Sequence, residues 1–165
     1  MDLREIIFND IIKDFNKKYK EYDSLKEYLN SFTKEELYRA SLKSGLTTSN
    51  KELSKVLVVN TSTKDKMVDY VINNLDTIIK SHLLSLDDRD LEILNEVLNN
   101  GNSIVVKNNK VPLLLITNLG HSILMHVYYD KKKETVNINV QKDIAIEIKK
   151  ILKSKSFIKE HKDIN

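Results

Sequence analysis

Apolar positions along the chain follow two rhythms, and the change from one to the other divides it. Over residues 2–20, Leu3, Ile6, Ile7, Ile11, Phe15 and Tyr19 recur every three or four positions with charges between them, which predicts an amphipathic helix. "SLKEYL" at 24–29 predicts a short helix capped by Ser24. "SFTKEELYRASLKSGL" at 31–46 carries a full set of terminal signals. Thr33 and Glu36 have capping-box spacing, Phe32 and Leu37 have the spacing of a hydrophobic staple, and Gly45 suits a left-handed stop. "SNKEL" at 49–53 repeats the grammar, with Ser49 as cap, Glu52 three on, and Leu53, Val56 and Leu57 inward. Thr63 or Ser62 opens the next helix, with Met67, Val71, Leu75 and Ile78 on one face. Asp87 caps a further one that runs to Gly101, burying Leu94, Val97 and Leu98.

After Gly101 the period shortens. "SIVV" at 103–106 predicts a strand, and Pro112 suits the first turn of a short helix over 112–119, stopped by Gly120. "SILMHVYY" at 122–129 and "TVNINV" at 135–140 predict two strands joined by the charged turn "DKKKE". In the second of these, Val136, Ile138 and Val140 alternate with Thr135, Asn137 and Asn139, so one face is buried and the other wet. A last helix from about Asp143 turns Ile144, Ile148, Ile151 and Leu152 inward, and 154–165 reads as a polar tail that frays. The expected fold class is α+β and predominantly helical. A helical domain over 1–82 packs on a small α/β unit over 83–153 that contains a β-hairpin.

Composition narrows the chemistry. Three glycines and one proline in 165 residues leave little room for long irregular loops. The absence of cysteine excludes disulfides, thiol catalysis and thiolate zinc sites, and fits a cytoplasmic location. The first fifteen residues mix acids and bases with apolar side chains, unlike a signal peptide. The longest apolar runs, such as "VPLLLI", fall far short of the roughly 20 residues that span a bilayer, so no membrane association is expected. An abundance of Lys, Asn and Ile suggests an AT-rich genome, that of a low-GC bacterium or its phage.

The net charge of +3 is too small to name a partner, but its distribution is uneven. Residues 1–100 hold 15 Lys/Arg against 18 Asp/Glu, a net −3; residues 101–165 hold 12 against 6, a net +6. An anionic partner should therefore prefer the second half. The candidate contacts are Lys131, Lys132 and Lys133 at the hairpin turn, and Lys149, Lys150 and Lys153 on the last helix. A solvated turn is the simpler explanation of the first three. Tyr128 and Tyr129 adjoin that turn and could stack on bases, although neighbouring strand positions face opposite ways and leave at most one of them for a ligand.

Two resemblances attach to these patterns. "FTKEELYRASLKSGL" followed by "STKDKMVDYVINNL" resembles the small helical modules of the SAP and Rho-N-terminal type. The matching positions are Thr33, Glu36, Leu37, Gly45 and Leu46, then Lys64, Met67, Val68 and Val71, within residues 32–75. That resemblance implies nucleic-acid contact in many relatives and protein contact in others. Residues 87–152 resemble a winged helix in the order of elements. This implies a groove-entering helix at 112–119 and a backbone-touching hairpin. "PLLLITNLG" carries only Thr117 and Asn118 as polar groups, so that helix suits the core better than a DNA groove.

Catalytic and metal chemistry find little support. His121 and His126, five apart on a strand, would face opposite sides, and neither has a ligand spacing with His82 or His161. Asp87, Asp88 and Asp90 lack the glycine and terminal glutamate of a calcium loop, and a helix start explains them. No phosphate-binding glycine loop or nucleophile elbow is present. The expectation is a protein with no enzymatic activity, no cofactor and no metal. It binds nucleic acid or regulates through its basic C-terminal half. The alternative is a protein-interaction module, such as a phage-type inhibitor or adaptor.

Overall fold

The computed structural model describes residues 22–43, 63–107 and 122–164. The helices expected over 2–20, from Ser49 and over 112–119, together with Gly45, Leu46 and His121, lie outside them. The fold is α+β, with helices around a small three-stranded antiparallel sheet. No helix among the described residues is long and apolar enough to cross a membrane.

Helix α1 (Leu25–Asn30) starts where Ser24 accepts from the Glu27 N–H. Helix α2 (Lys34–Tyr38) has both halves of its capping box. The Thr33 hydroxyl accepts from the Glu36 N–H at 3.2 Å, and the Glu36 carboxylate accepts from the Thr33 N–H at 2.8 Å. It continues into a π-helical turn, Arg39–Lys43. The single helix expected after Thr63 is two, α3 (Lys64–Asn73) and α4 (Leu75–Leu84). The break falls at Asn74, whose backbone leaves the helical region (φ −120°, ψ 23°) and whose side-chain amide joins its own N–H on the Tyr70 carbonyl, at 2.9 Å. Helix α5 (Asp88–Asn99) is capped by Asp87 and buries Leu94, Val97 and Leu98. It ends at Gly101 and Asn102, with φ of 71° and 68°, a left-handed pair that only glycine and asparagine adopt cheaply.

Strands β1 (Ser103–Lys107), β2 (His126–Asp130) and β3 (Thr135–Asn139) form the sheet in the order β1-β3-β2. Its core face carries Ile104, Ile138 and Val127 in one row and Val106, Val136 and Tyr129 in the next. Helix α6 (Lys142–Leu152) follows β3 at once, because Gln141 caps it by accepting from the N–H groups of Asp143 and Ile144. Helix α4 packs against α6, α1 packs against α3 and α6, and α5 reaches β1. The buried side chains form one continuous cluster that runs from Tyr28 and Leu37 through Met67 and Leu83 to the sheet and Ile148.

Two further expectations need correction. The strand read over 122–129 begins only at His126. Ser122, Ile123, Leu124 and Met125 are buried but not paired in the sheet. The backbone of Ile123 is satisfied instead by the helical part: the Tyr28 hydroxyl donates to its carbonyl at 3.1 Å, and its N–H donates to the Ala40 carbonyl at 3.3 Å. The stretch after 153, read as a fraying tail, is helix α7 (Lys155–Ile164). Ser154 accepts from the Phe157 N–H, Phe157 is 4% exposed, and α7 packs on α4 and α6.

Thr33→Ala removes one bond of the capping box and is expected to cost about 1 kcal/mol in a urea titration; an unchanged midpoint would mean the cap is idle. Phe157→Ala empties a closed site and should cost about 3–5 kcal/mol. A loss below about 1 kcal/mol would detach α7 from the core.

Candidate nucleic-acid interface

The lysines singled out in the sequence fall on two elements. Lys131, Lys132 and Lys133 are all exposed at the tip of the β2–β3 hairpin. The turn is built by Asp130, whose carboxylate accepts from the N–H groups of Lys132 at 3.0 Å and Lys133 at 3.2 Å. Glu134 closes it with a positive φ of 51°. Asp130 also lies 4.0 Å from the Lys133 ammonium. Asp130 and Glu134 therefore offset two of the three positive charges at the tip, leaving it a weak cation on its own.

Lys149, Lys150 and Lys153 lie on the exposed side of α6, opposite Ile144, Ala145, Ile148 and Ile151 in the core. Lys150 pairs with Glu147 at 3.6 Å. The structure adds residues that the sequence reading left out. Lys142 belongs to the same exposed stripe, and α7 supplies Lys155, Lys159 and Lys162. Of the nine exposed positions described between 142 and 162, seven are lysine; the other two are Ile146 and Ile158. The signal for the α7 lysines was present in the sequence as Ser154, Phe157 and three- and four-residue spacing, but it is short and sits at the chain's polar end.

The sheet's second face is polar and partly open. Register places Ser103, Asn139 and His126 in one row, Val105, Asn137 and Tyr128 in the next, and Lys107, Thr135 and Asp130 in the last. Tyr128 thus lies on this face, while Tyr129 turns to the core beside Val136. One end of the face is closed by aromatic rings. The His126 ring lies 4.3 Å from that of Tyr28 and stacks on Tyr22 at 6.0 Å, nearly parallel. This enclosure takes the imidazole out of water and lowers its pKa from 6.5 to about 4. Burial, with Tyr22 adding to it, pushes the Tyr28 phenol upward. Neither ring carries charge at neutral pH.

The acids near the start of α5 belong to the opening of that helix. Asp87 is spent on the cap, and burial followed by the neighbouring Asp87 charge raises the Asp90 pKa. Among the described residues no three His, Asp or Glu side chains converge as metal ligands. The chain matches no known protein family, and neither a curated protein nor a solved structure aligns with it.

His126 gives this region a pH signature. Folded, it stays neutral down to about pH 4; unfolded, it takes up a proton near 6.5. The unfolded chain therefore binds more protons across that window, and stability falls as pH drops through it, by up to about 3 kcal/mol from this group. His126→Phe keeps an aromatic ring against Tyr28 and removes the proton. Urea titrations at several pH values should show the variant losing less stability than the parent between pH 6.5 and 4. Parallel decreases in the two proteins would refute the assignment.

Proposed function

We propose that this chain is a non-catalytic nucleic-acid-binding protein of regulatory type, holding phosphate backbone on the lysine side of α6 and α7. One observation carries the reading: seven of nine described exposed positions on that side are lysine, and the core fixes both helices beneath them. Lysine ammoniums on a rigid surface neutralise phosphates without reading bases, so the contact is sequence-independent and salt-dependent. A membrane surface is the poorer ligand. Ile144, Ala145, Ile148 and Ile151 of α6 and Phe157 of α7 are already buried in the core, and interfacial helices need their apolar side for lipid.

The winged-helix resemblance of residues 87–152 supports the same reading, with the hairpin and its three lysines as an auxiliary backbone contact. The SAP-like pattern over 32–75 adds to it by analogy. A second reading, a protein-interaction module, draws on the two exposed isoleucines: Ile146 at 65% and Ile158 at 45% would suit an acidic protein partner.

The test is a fluorescence titration of duplexes of unrelated sequence at several salt concentrations. The wild-type protein should bind all of them with similar affinity. Lys149→Ala, Lys150→Ala and Lys153→Ala together should weaken every duplex alike and flatten the log–log salt slope by up to about 0.9 for each phosphate no longer neutralised. Folding should hardly change, because exposed charges contribute little to stability. No binding at about 50 mM salt would end the nucleic-acid reading and favour the protein partner.

A further inference from the structure

Among the described residues the large apolar side chains that are well exposed are Val105, Ile146 and Ile158. A single exposed isoleucine is ordinary on a protein surface, but the surroundings of Ile146 are not. At 65% exposure it stands within the lysine side of α6, where a group without donor, acceptor or charge adds nothing to a phosphate contact. Helical geometry fixes what encloses it. Rise per residue puts Lys142 about 6 Å below Ile146 along the axis, and Lys149, Lys150 and Lys153 about 4.5, 6 and 10.5 Å above it. Around the axis Lys150 lies about 40° to one side, and the other three lie about 20–60° to the other. Lys153 closes the helix with right-handed helical backbone and so keeps to the same side.

Ile146 is thus flanked by exposed cations at both ends and on both sides. Glu147, 3.6 Å from the Lys150 ammonium, offsets one of the four charges and lies further round the helix, beyond Lys150. Lysine is the longer side chain, so the ammoniums reach past the isoleucine. Two rows of phosphate bordering a groove would meet the ammoniums, and the base steps between them would meet Ile146. Helix α7 lacks this arrangement. Ile158 is less exposed, at 45%, and Lys155, Lys159 and Lys162 all lie to one side of it, about 40–100° around the axis.

From this arrangement we infer that Ile146 is a wedge that bends duplex DNA. The minor groove lies against α6, the lysines hold phosphates of both strands, and Ile146 enters between two base pairs. That groove is about 6 Å wide, so side chains from one helix face can touch both of its rims. An apolar side chain pressed into it parts neighbouring base pairs and kinks the duplex toward the major groove. Lost stacking is offset by taking Ile146 out of water and by bringing more phosphates to the lysines. The buried side chains of Ile144, Ala145 and Ile148 fix the helix behind the wedge. The major groove is a poorer fit, because its floor is mostly donors and acceptors, for which isoleucine has no counterpart. Ile146 reads no base edge, so the contact stays independent of sequence while demanding a deformable duplex. The inference rests on the nucleic-acid reading above and adds DNA bending to it.

The experiment uses the full chain and a duplex of about 30 base pairs carrying a donor and an acceptor dye at its two ends. Binding of the parent should raise energy transfer, as a bend of about 20–90° brings the ends together. The parent should also bind the same duplex with a central mismatch at least about 10-fold more tightly, because a mismatched step is already partly unstacked. Ile146→Gln, similar in size and at an exposed position, should bind the paired duplex with the parent's salt slope but lose both the rise in transfer and the mismatch preference. Ile146→Leu should keep both, and circular dichroism checks that each variant folds. A parent complex with no rise in transfer would overturn the wedge and leave the phosphate contact of α6 and α7 standing. A rise in transfer or a mismatch preference that persists unchanged in Ile146→Gln would do the same. Failure of the parent to bind any duplex would overturn both readings and leave Ile146 to an acidic protein partner.

Discussion

The arrangement turns on Tyr28. It is 1% exposed, sits on a helix of six residues, and reaches across the chain to the carbonyl of Ile123. A helix that short has little stability of its own. What holds it is tertiary: Tyr28 inserts its ring between Phe32 and His126 and spends its hydroxyl on a buried backbone acceptor. The dependence runs the other way as well. Residues 122–125 are buried outside the sheet, and a buried carbonyl left without a donor costs about 1–3 kcal/mol. The helical part and the sheet are thus completed by each other's polar groups as well as by shared apolar surface.

Local rules are legible wherever one side chain serves one helix end. Thr33, Thr63 and Asp87 each accept from the N–H three residues on, as their spacing indicates. The alternation in "TVNINV" marks the core face of the central strand correctly, since Val136 and Ile138 are buried and Thr135 and Asn137 are not fully so. What stays hidden depends on distant partners. "SILM" is apolar enough for a strand, and nothing within it shows that Tyr28 and Ala40 will claim its backbone. Asn74 divides a continuous apolar stripe where its backbone leaves the helical region, a change that periodicity does not register. The segment after 153 reads as too polar to fold, because its one large buried anchor, Phe157, depends on α4 and α6 for a place to go.

The candidate interface shows the same division. Lysines at 131–133 and 149–153 stand out in the sequence as runs. Their standing changes once neighbours are known: the tip is offset by Asp130 and Glu134, whereas the exposed lysines of α6 are joined by others on α7. Helix formation after Ser154 turns scattered tail lysines into an ordered array, and preorganisation of this kind lowers the entropic cost of holding an anion. The sheet's second face is less visible still, because Val105, Asn137 and Tyr128 come from three strands and only register brings them level.

The strand order has a consequence for how the chain is made. β1 and β2 both pair with β3 and lie on opposite sides of it, so the strand that emerges last from the ribosome is the one that both others require. Neither of the two described ladders can be completed until β3 has been synthesised and released from the exit tunnel, whatever the helices have done by then. Through that interval Ile104, Val106 and Val127 have no strand partners. Nascent chains stalled between β2 and β3 are the species with the most unpaired strand edge, and therefore the ones most in need of a chaperone.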